Sequence, residues 1–183
     1  FIINDGQHRR AAIERALRDR PDLSDEHIAV VFFLDRGLER CQQMFADLNR
    51  HAIRPAKSLG VLYDHRDRHS MITRAVVFGS DIFRDIVELE RSSISFRSRK
   101  LFTLSGIHSG TKALLQHLDI HETPIDELAN LARTFWETVE SHIPEWQRVR
   151  KNKTTAGDVR QEFVHSHGIT LAALGQVGST LLQ

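Results

Sequence analysis

The sequence is short of several things, and each shortage removes a class of protein. It has one cysteine, Cys41, in 183 residues, so an internal disulfide framework and a multi-thiolate zinc site are both excluded. No apolar run approaches the ~20 residues that a membrane-spanning helix needs. Charge of either sign is not in excess: 25 Lys+Arg stand against 24 Asp+Glu, a formal net charge of +1. The molecule as a whole therefore does not advertise nucleic-acid binding. Aromatic residues are only 7%, which leaves little material for stacking single strands. There is no internal repeat, no low-complexity tract, no Gly-x-Ser-x-Gly and no Walker-type loop. What remains is ordinary globular composition, 40% hydrophobic and 27% charged, enough for a real core. A reducing, cytoplasmic setting is the expectation. The chain opens on Phe1 rather than Met and stops inside an apolar helical pattern. A piece of a longer chain is expected, whose preceding segment would supply strands or part of a site.

The pattern predicts mixed α/β structure first and helices afterwards. Residues 1–34 read as strand (Phe1-Ile2-Ile3), turn (Asn4-Asp5-Gly6), helix (Arg10–Leu17), polar loop (Pro21–Asp25) and strand (Ile28–Leu34). The second apolar run suits a strand buried on both faces. Leu38, Cys41, Met44, Phe45 and Leu48 make one apolar stripe of a helix that must end by Pro55. Cys41 on that stripe reads as a small core residue. From Ala56 no convincing strand pair is visible. Segments 56–65, 68–78, 81–90 and 100–118 have helical patterns, and Thr123-Pro124-Ile125-Asp126 looks like a capped helix start. That helix should end at Pro144. Residues 158–165 and 169–182 are further helical segments. Two parts are expected: an α/β unit at 1–55 and a mainly helical region at 56–183.

Asp5-Gly6-Gln7-His8-Arg9 lies between the first strand and the first helix. Unpaired amides and the helix dipole favour an anion there. Gly6 permits a tight bend and close approach to a ligand. His8 and Arg9 add donors, and the Arg fork matches phosphate oxygens. Asp5 could fix the turn, hold a sugar hydroxyl or bind Mg²⁺; Gln7 could orient a water or read a base. The spacing equally fits a plain Asp-Gly turn beside a surface ion pair. Asn49, at the end of the second helix, reads either as a ligand or as a helix C-cap.

The string Ile3-Asn4-Asp5-Gly6-Gln7-His8-Arg9-Arg10-Ala11-Ala12 resembles the signature of DGQHR-domain proteins of the ParB/sulfiredoxin-like superfamily. Within that group it is most similar to the DndB family of DNA sulfur modification. Phe45-Ala46-Asp47-Leu48-Asn49-Arg50, Arg54-Pro55-Ala56-Lys57-Ser58-Leu59, Glu90-Arg91-Ser92-Ser93 and Arg99-Lys100-Leu101-Phe102-Thr103-Leu104-Ser105 carry the resemblance through most of the chain. It implies a ParB/sulfiredoxin-like fold for residues 1–55. It also implies a nucleotide-phosphate site in which Gly6 and Arg9 match the ParB Gly-x-x-Arg motif. Against the sulfiredoxin Gly-Cys-His-Arg, Gln7 stands where the cysteine would be, so sulfiredoxin chemistry is not expected. Asn49 and Arg50 match phosphate- and metal-handling positions, with altered spacing.

Local charge adds to this. Residues 91–118 contain no acid, and Arg91, Arg97, Arg99 and Lys100 stand there among Ser92, Ser93, Ser95 and Ser98, good phosphate partners. A second cluster, Arg148, Arg150, Lys151 and Lys153, reads as a mobile loop that could grip a backbone. Short basic runs are also commonly just solvated surface. Of eleven histidines, His65/His69 and His117/His121 are four apart but have no third ligand beside them, so no metal site is expected.

Combined with the resemblance, these features predict a DNA-binding transcriptional regulator, a repressor, of a bacterial phosphorothioation system. Its partners would be double-stranded DNA, other proteins of the system and further copies of the chain. A nucleoside triphosphate, with Mg²⁺ as an option, would sit on Asp5, Gly6, Gln7, His8, Arg9, Asn49 and Arg50. Arg97, Arg99, Lys100, Arg148, Arg150, Lys151 and Lys153 would contact DNA. The alternative is an NTP-hydrolysing, DNA-nicking enzyme in which Gln7 or His8 orients water and Asp5 carries Mg²⁺.

Overall fold

The computed structural model describes residues 3, 6–32, 37, 39–40, 42–44 and 55–182. The chain falls into two compact units, Phe1–Arg54 and Pro55–Gln183. In the first, helix α1 (Gln7–Asp19) is built from strong helix formers. It starts from Gly6 at φ 103°, ψ 12°, the left-handed region that glycine enters without a Cβ penalty. A short 3₁₀ turn, Pro21–Asp25, follows. No residue of α1 is buried. Residues 39–40 and 42–44 are helical, within the helix expected there. The strand expected at 28–34 is not present over 28–32: these residues take no strand conformation, and Ile28, Val30, Val31 and Phe32 are 59–75% exposed. Apolar composition reads as burial, but a two-faced strand also needs a partner on each side. Residues 1, 2, 33 and 34 lie outside the described residues, as do Asp5, Cys41, Asn49 and Arg50.

The second unit is mainly helical: α2 (Lys57–Tyr63), α3 (Arg68–Gly79), α4 (Leu104–Leu114), α5 (Ile125–Ser141), α6 (Pro144–Arg150), α7 (Ala156–Glu162) and α8 (Gly168–Leu181). Between α3 and α4 the chain departs from expectation. Residues 81–86 form turns rather than helix, with Asp85 at φ 63°. Two short strands follow, β1 (Val87–Glu88) and β2 (Phe102–Thr103). They pair in parallel, Val87 opposite Phe102. Ile82, Phe83, Ile86 and Val87 are all buried; their spacing imitates a helical stripe, yet turns satisfy it as well. Parallel strands require a long crossover, and here that crossover is residues 89–101, which are acid-free and basic from Arg91 onward.

The core gathers Ile72 and Val76 from α3, Leu101 and Phe102 around β2, Leu104, Ile107 and Leu114 from α4, Leu128, Ala132 and Trp136 from α5, Trp146 from α6 and Leu171 from α8. Its aromatic rings meet edge to face: Phe102–Trp146 at 4.7 Å, Phe83–Phe102 at 5.8 Å and Phe83–Trp136 at 6.2 Å, the arrangement ring quadrupoles favour. The Trp136 indole N–H is satisfied by Thr111 Oγ1 at 3.1 Å. Helices α4 and α8 approach through small residues: a Cβ on Gly175 would lie 2.1 Å from the Gly110 carbonyl oxygen. No larger residue fits that crossing.

The helix ends correct two details. Pro124, not Thr123, is the N-cap of α5, and no side chain caps it; Asp126 and Glu127 still favour the first turn through the dipole. Pro144 does not merely follow a helix. It opens α6 at the first helical position, where its missing N–H costs nothing. Helices α4 and α7 are capped by Thr103, accepting from the Gly106 amide at 3.1 Å, and Thr155, accepting from the Asp158 amide at 3.1 Å.

Candidate functional site

In the first unit, Arg10 closes the opening turn of α1 on the Gly6 carbonyl at 2.8 Å. The Arg9 Nε and Nη2 both lie 3.9 Å from the position a Gly6 Cβ would take, so the guanidinium folds back over the bend. Gln7 Nε2 donates to the Ile3 carbonyl at 2.9 Å, which ties down one expected ligand, while His8 and Arg9 are exposed. Gly6, Gln7, His8 and Arg9 are thus gathered at one helix start. Asp5, Asn49 and Arg50 cannot be added to that geometry, since they lie outside the described residues.

In the second unit, the crossover between β1 and β2 is held at many points. Glu88 Oε1 accepts from the Glu90 and Arg91 amides, each at 3.2 Å. Ser58 Oγ donates to the Arg91 carbonyl at 2.9 Å. At its far end, Lys100 Nζ donates to the Asp85 carbonyl at 3.0 Å. The central clamp is Arg160 of α7. Its Nη1 donates to Ile94 O at 3.1 Å and its Nη2 to Ser95 O at 2.9 Å and Phe96 O at 3.1 Å. Burial pulls this guanidinium below its ordinary pKa, but an arginine stays charged through the physiological range. Gly157 completes the fit, because a Cβ there would lie 2.4 Å from Phe96 O.

The expected DNA contacts divide accordingly. Arg97 and Arg99 are exposed on the clamped loop and, among the described residues, engage in no hydrogen bond or ion pair. Lys100 serves the loop itself. Arg150 is tied by Nη1 to Glu140 Oε1 at 2.5 Å, so it is spent on structure. Arg148, Lys151 and Lys153 are exposed. They flank an ordered turn rather than an open loop. Lys153 N bonds to Arg148 O at 2.8 Å and Asn152 N to Val149 O at 3.0 Å, with Asn152 at φ 53°. These are the two bonds of a Schellman motif with Asn in the left-handed position. Lys153 lies four residues before Gly157, and Arg97 follows the Phe96 carbonyl that packs on Gly157. Both basic segments therefore meet at the start of α7.

Sequence reasoning missed Arg160. It sits in a segment expected to be helical, but nothing in the sequence indicates that its side chain spans to residues 94–96. The histidine pairs also fall elsewhere. His69 packs edge-on against His108 at 6.4 Å, and His65 lies beside Arg74. Burial pushes both His69 and His108 below the usual histidine pKa. Trp146 donates to His165 Nδ1 at 2.9 Å, which leaves that ring's proton on Nε2; burial lowers its pKa as well.

Among the described residues, no helix is long and apolar enough to cross a membrane. The whole chain, residues 1–183, matches the family DndB, described as DNA-sulfur modification-associated. No curated protein and no solved structure matches it.

Proposed function

Because the chain belongs to the DndB, DNA-sulfur modification-associated family, we propose that it is a cytoplasmic DNA-binding repressor of a bacterial phosphorothioation system. The observation that carries this reading is the pair Arg97 and Arg99, exposed on a loop whose backbone is already locked by Arg160. Pre-ordered donors spare a loop-ordering cost on binding. Arg148, Lys151 and Lys153 extend the contact from the other side of the α7 start. Contacts of this kind supply affinity and salt dependence rather than sequence choice. The α1 start, with Gly6 and Arg9, would hold the phosphates of a nucleoside triphosphate, with Mg²⁺ as an option. A nucleotide with unequal affinity for two conformations would bias DNA binding. Other proteins of the modification system and further copies of the chain belong to the same proposal as partners.

The test is the salt dependence of binding to the promoter of the modification genes. Changing Arg97 and Arg99 together to Ala should make the slope of log K against log salt shallower by about 2, near 0.9 for each lost phosphate contact. Arg150→Ala, a structural cation, should leave that slope unchanged. Equal slopes for the wild type and the double variant would dismiss the loop as the DNA face.

A further inference from the structure

We infer that the pocket between the crossover loop, α7 and the start of α8 is a phosphoryl-binding site for a nucleotide, carried either free or as one unit of a DNA strand. The pocket holds about 430 Å³, room for a group of nucleotide size. Ser92 and Ser93 of the loop, Ser166, and His167 and Gly168 at the helix start line it, and none of its lining residues is acidic.

Three observations converge there. First, α8 is a full helix, Gly168–Leu181, whose N-terminus has no side-chain cap. The Thr170 and Leu171 amides bond back to the His167 carbonyl at 3.0 Å. The Gly168 and Ile169 amides stand ahead of the first intrahelical bond and, with the dipole, favour an anion. The His167 ring does not cap them; its Nε2 donates instead to the Arg160 carbonyl at 2.9 Å. Second, Ser166 is 5% exposed and its hydroxyl has no hydrogen-bond partner. A buried hydroxyl left unpaired is costly and rare, and this one belongs to a residue that lines the pocket. Third, the field is positive: Arg91, Arg97 and Arg99 are exposed on the same loop. Of the two carboxylates on α7, Asp158 accepts from Thr155 Oγ1 at 2.6 Å and Glu162 is exposed; neither lines the pocket. The Arg160 guanidinium is committed to loop carbonyls, so amides and hydroxyls would do the holding. Phe96, 59% exposed and lining the same pocket, offers a flat face to a base.

The lining residues of this pocket all belong to the second unit, and its phosphate and mononucleotide arms need no DNA, so failure of the loop to bind a duplex would not touch it. The full chain is titrated with inorganic phosphate, then with a 5′-mononucleotide, then with a short duplex, by calorimetry and thermal shift. Phosphate and mononucleotide should bind the wild type. Ser166→Ala should weaken both about tenfold, the worth of one hydrogen bond to a charged group. Without ligand that variant should melt no lower than the wild type, since it removes an unpaired buried hydroxyl; a lower melting point would assign Ser166 a structural role and overturn its part. Ser92→Ala with Ser93→Ala gives the same comparison at exposed positions, where folding is not at stake. The same titrations are run in an Arg9→Ala background, which removes the phosphate contact proposed at the α1 start; binding at the pocket should persist and still weaken on Ser166→Ala. Phosphate that displaces the mononucleotide alone assigns a free nucleotide; phosphate that also displaces the duplex assigns a strand phosphate. Absence of phosphate and mononucleotide binding to the wild type, or unchanged affinity in both serine variants, would overturn the proposal.

Discussion

Replacing Arg160 with alanine removes the side chain that, among the described residues, holds the middle of the basic crossover loop. Three carbonyls, Ile94, Ser95 and Phe96, lose a donor at 2.9–3.1 Å. A hydrogen bond to a charged group is worth about 1.5–3 kcal/mol when its partner is left dry. These carbonyls lie at the surface and regain water on opening, so a discounted value of about 0.7 kcal/mol each is appropriate. The sum is about 2 kcal/mol, nearly thirtyfold in the population of the open loop, since about 1.4 kcal/mol is tenfold. Arg160→Lys should recover little, because a point-like ammonium cannot span three carbonyls. The assay is limited trypsin digestion with mapping of cuts after Arg97, Arg99 and Lys100, read beside urea unfolding. When opening is fast, cleavage follows the open population. The expected result is faster cutting at these positions, by about the factor just derived, with a smaller loss of global stability. Cutting at the wild-type rate in Arg160→Ala would refute the clamp.

Two further outcomes follow from packing and protonation. Gly175→Ala should lower the urea midpoint by the equivalent of about 1–3 kcal/mol, the usual cost of forcing atoms into a filled space, because its Cβ would meet the Gly110 carbonyl at 2.1 Å; an unchanged midpoint would mean that α4 and α8 do not cross there. His69, His108 and His165 all have pKa values lowered mainly by burial. Below about pH 6.5 the unfolded chain takes up protons that the fold resists. Stability should therefore be level above that pH and fall as pH drops from about 6.5 toward 5; a flat urea midpoint between pH 7.5 and 5.5 would contradict this.

How much of this was legible in the sequence can be judged element by element. The long helix Ile125–Ser141 was readable from its apolar stripe, and the family from the strings around residues 3–12, 90–93 and 99–105. The start of α1 was readable too, because Gly6 followed by helix formers encodes its own geometry within one turn. By contrast, the turns at 81–86 and the parallel pair of Val87 with Phe102 were not. Their burial pattern is shared by helix and turn, and the pairing joins segments separated by the whole crossover loop. Ile28–Phe32 failed in the opposite sense, since hydrophobicity records what a segment could bury and not what the fold does bury: these residues are exposed and take no strand conformation.

Among the cations, charge was visible in the sequence but employment was not. Arg97, Lys100, Arg150 and Arg160 are alike as letters; only the fold commits Lys100 to Asp85 O, Arg150 to Glu140 and Arg160 to the loop carbonyls, leaving Arg97 and Arg99 exposed. Local order, capping and family membership are properties of neighbouring residues and were determined by the chain alone. Which charges point outward, and which hydroxyl is buried beside the start of α8, depend on contacts between different elements, from Arg150 with Glu140, 10 residues apart, to Arg160 with Ile94, 66 apart. Only closure of the tertiary fold, with its loop entropy overcome by the buried core, decides those.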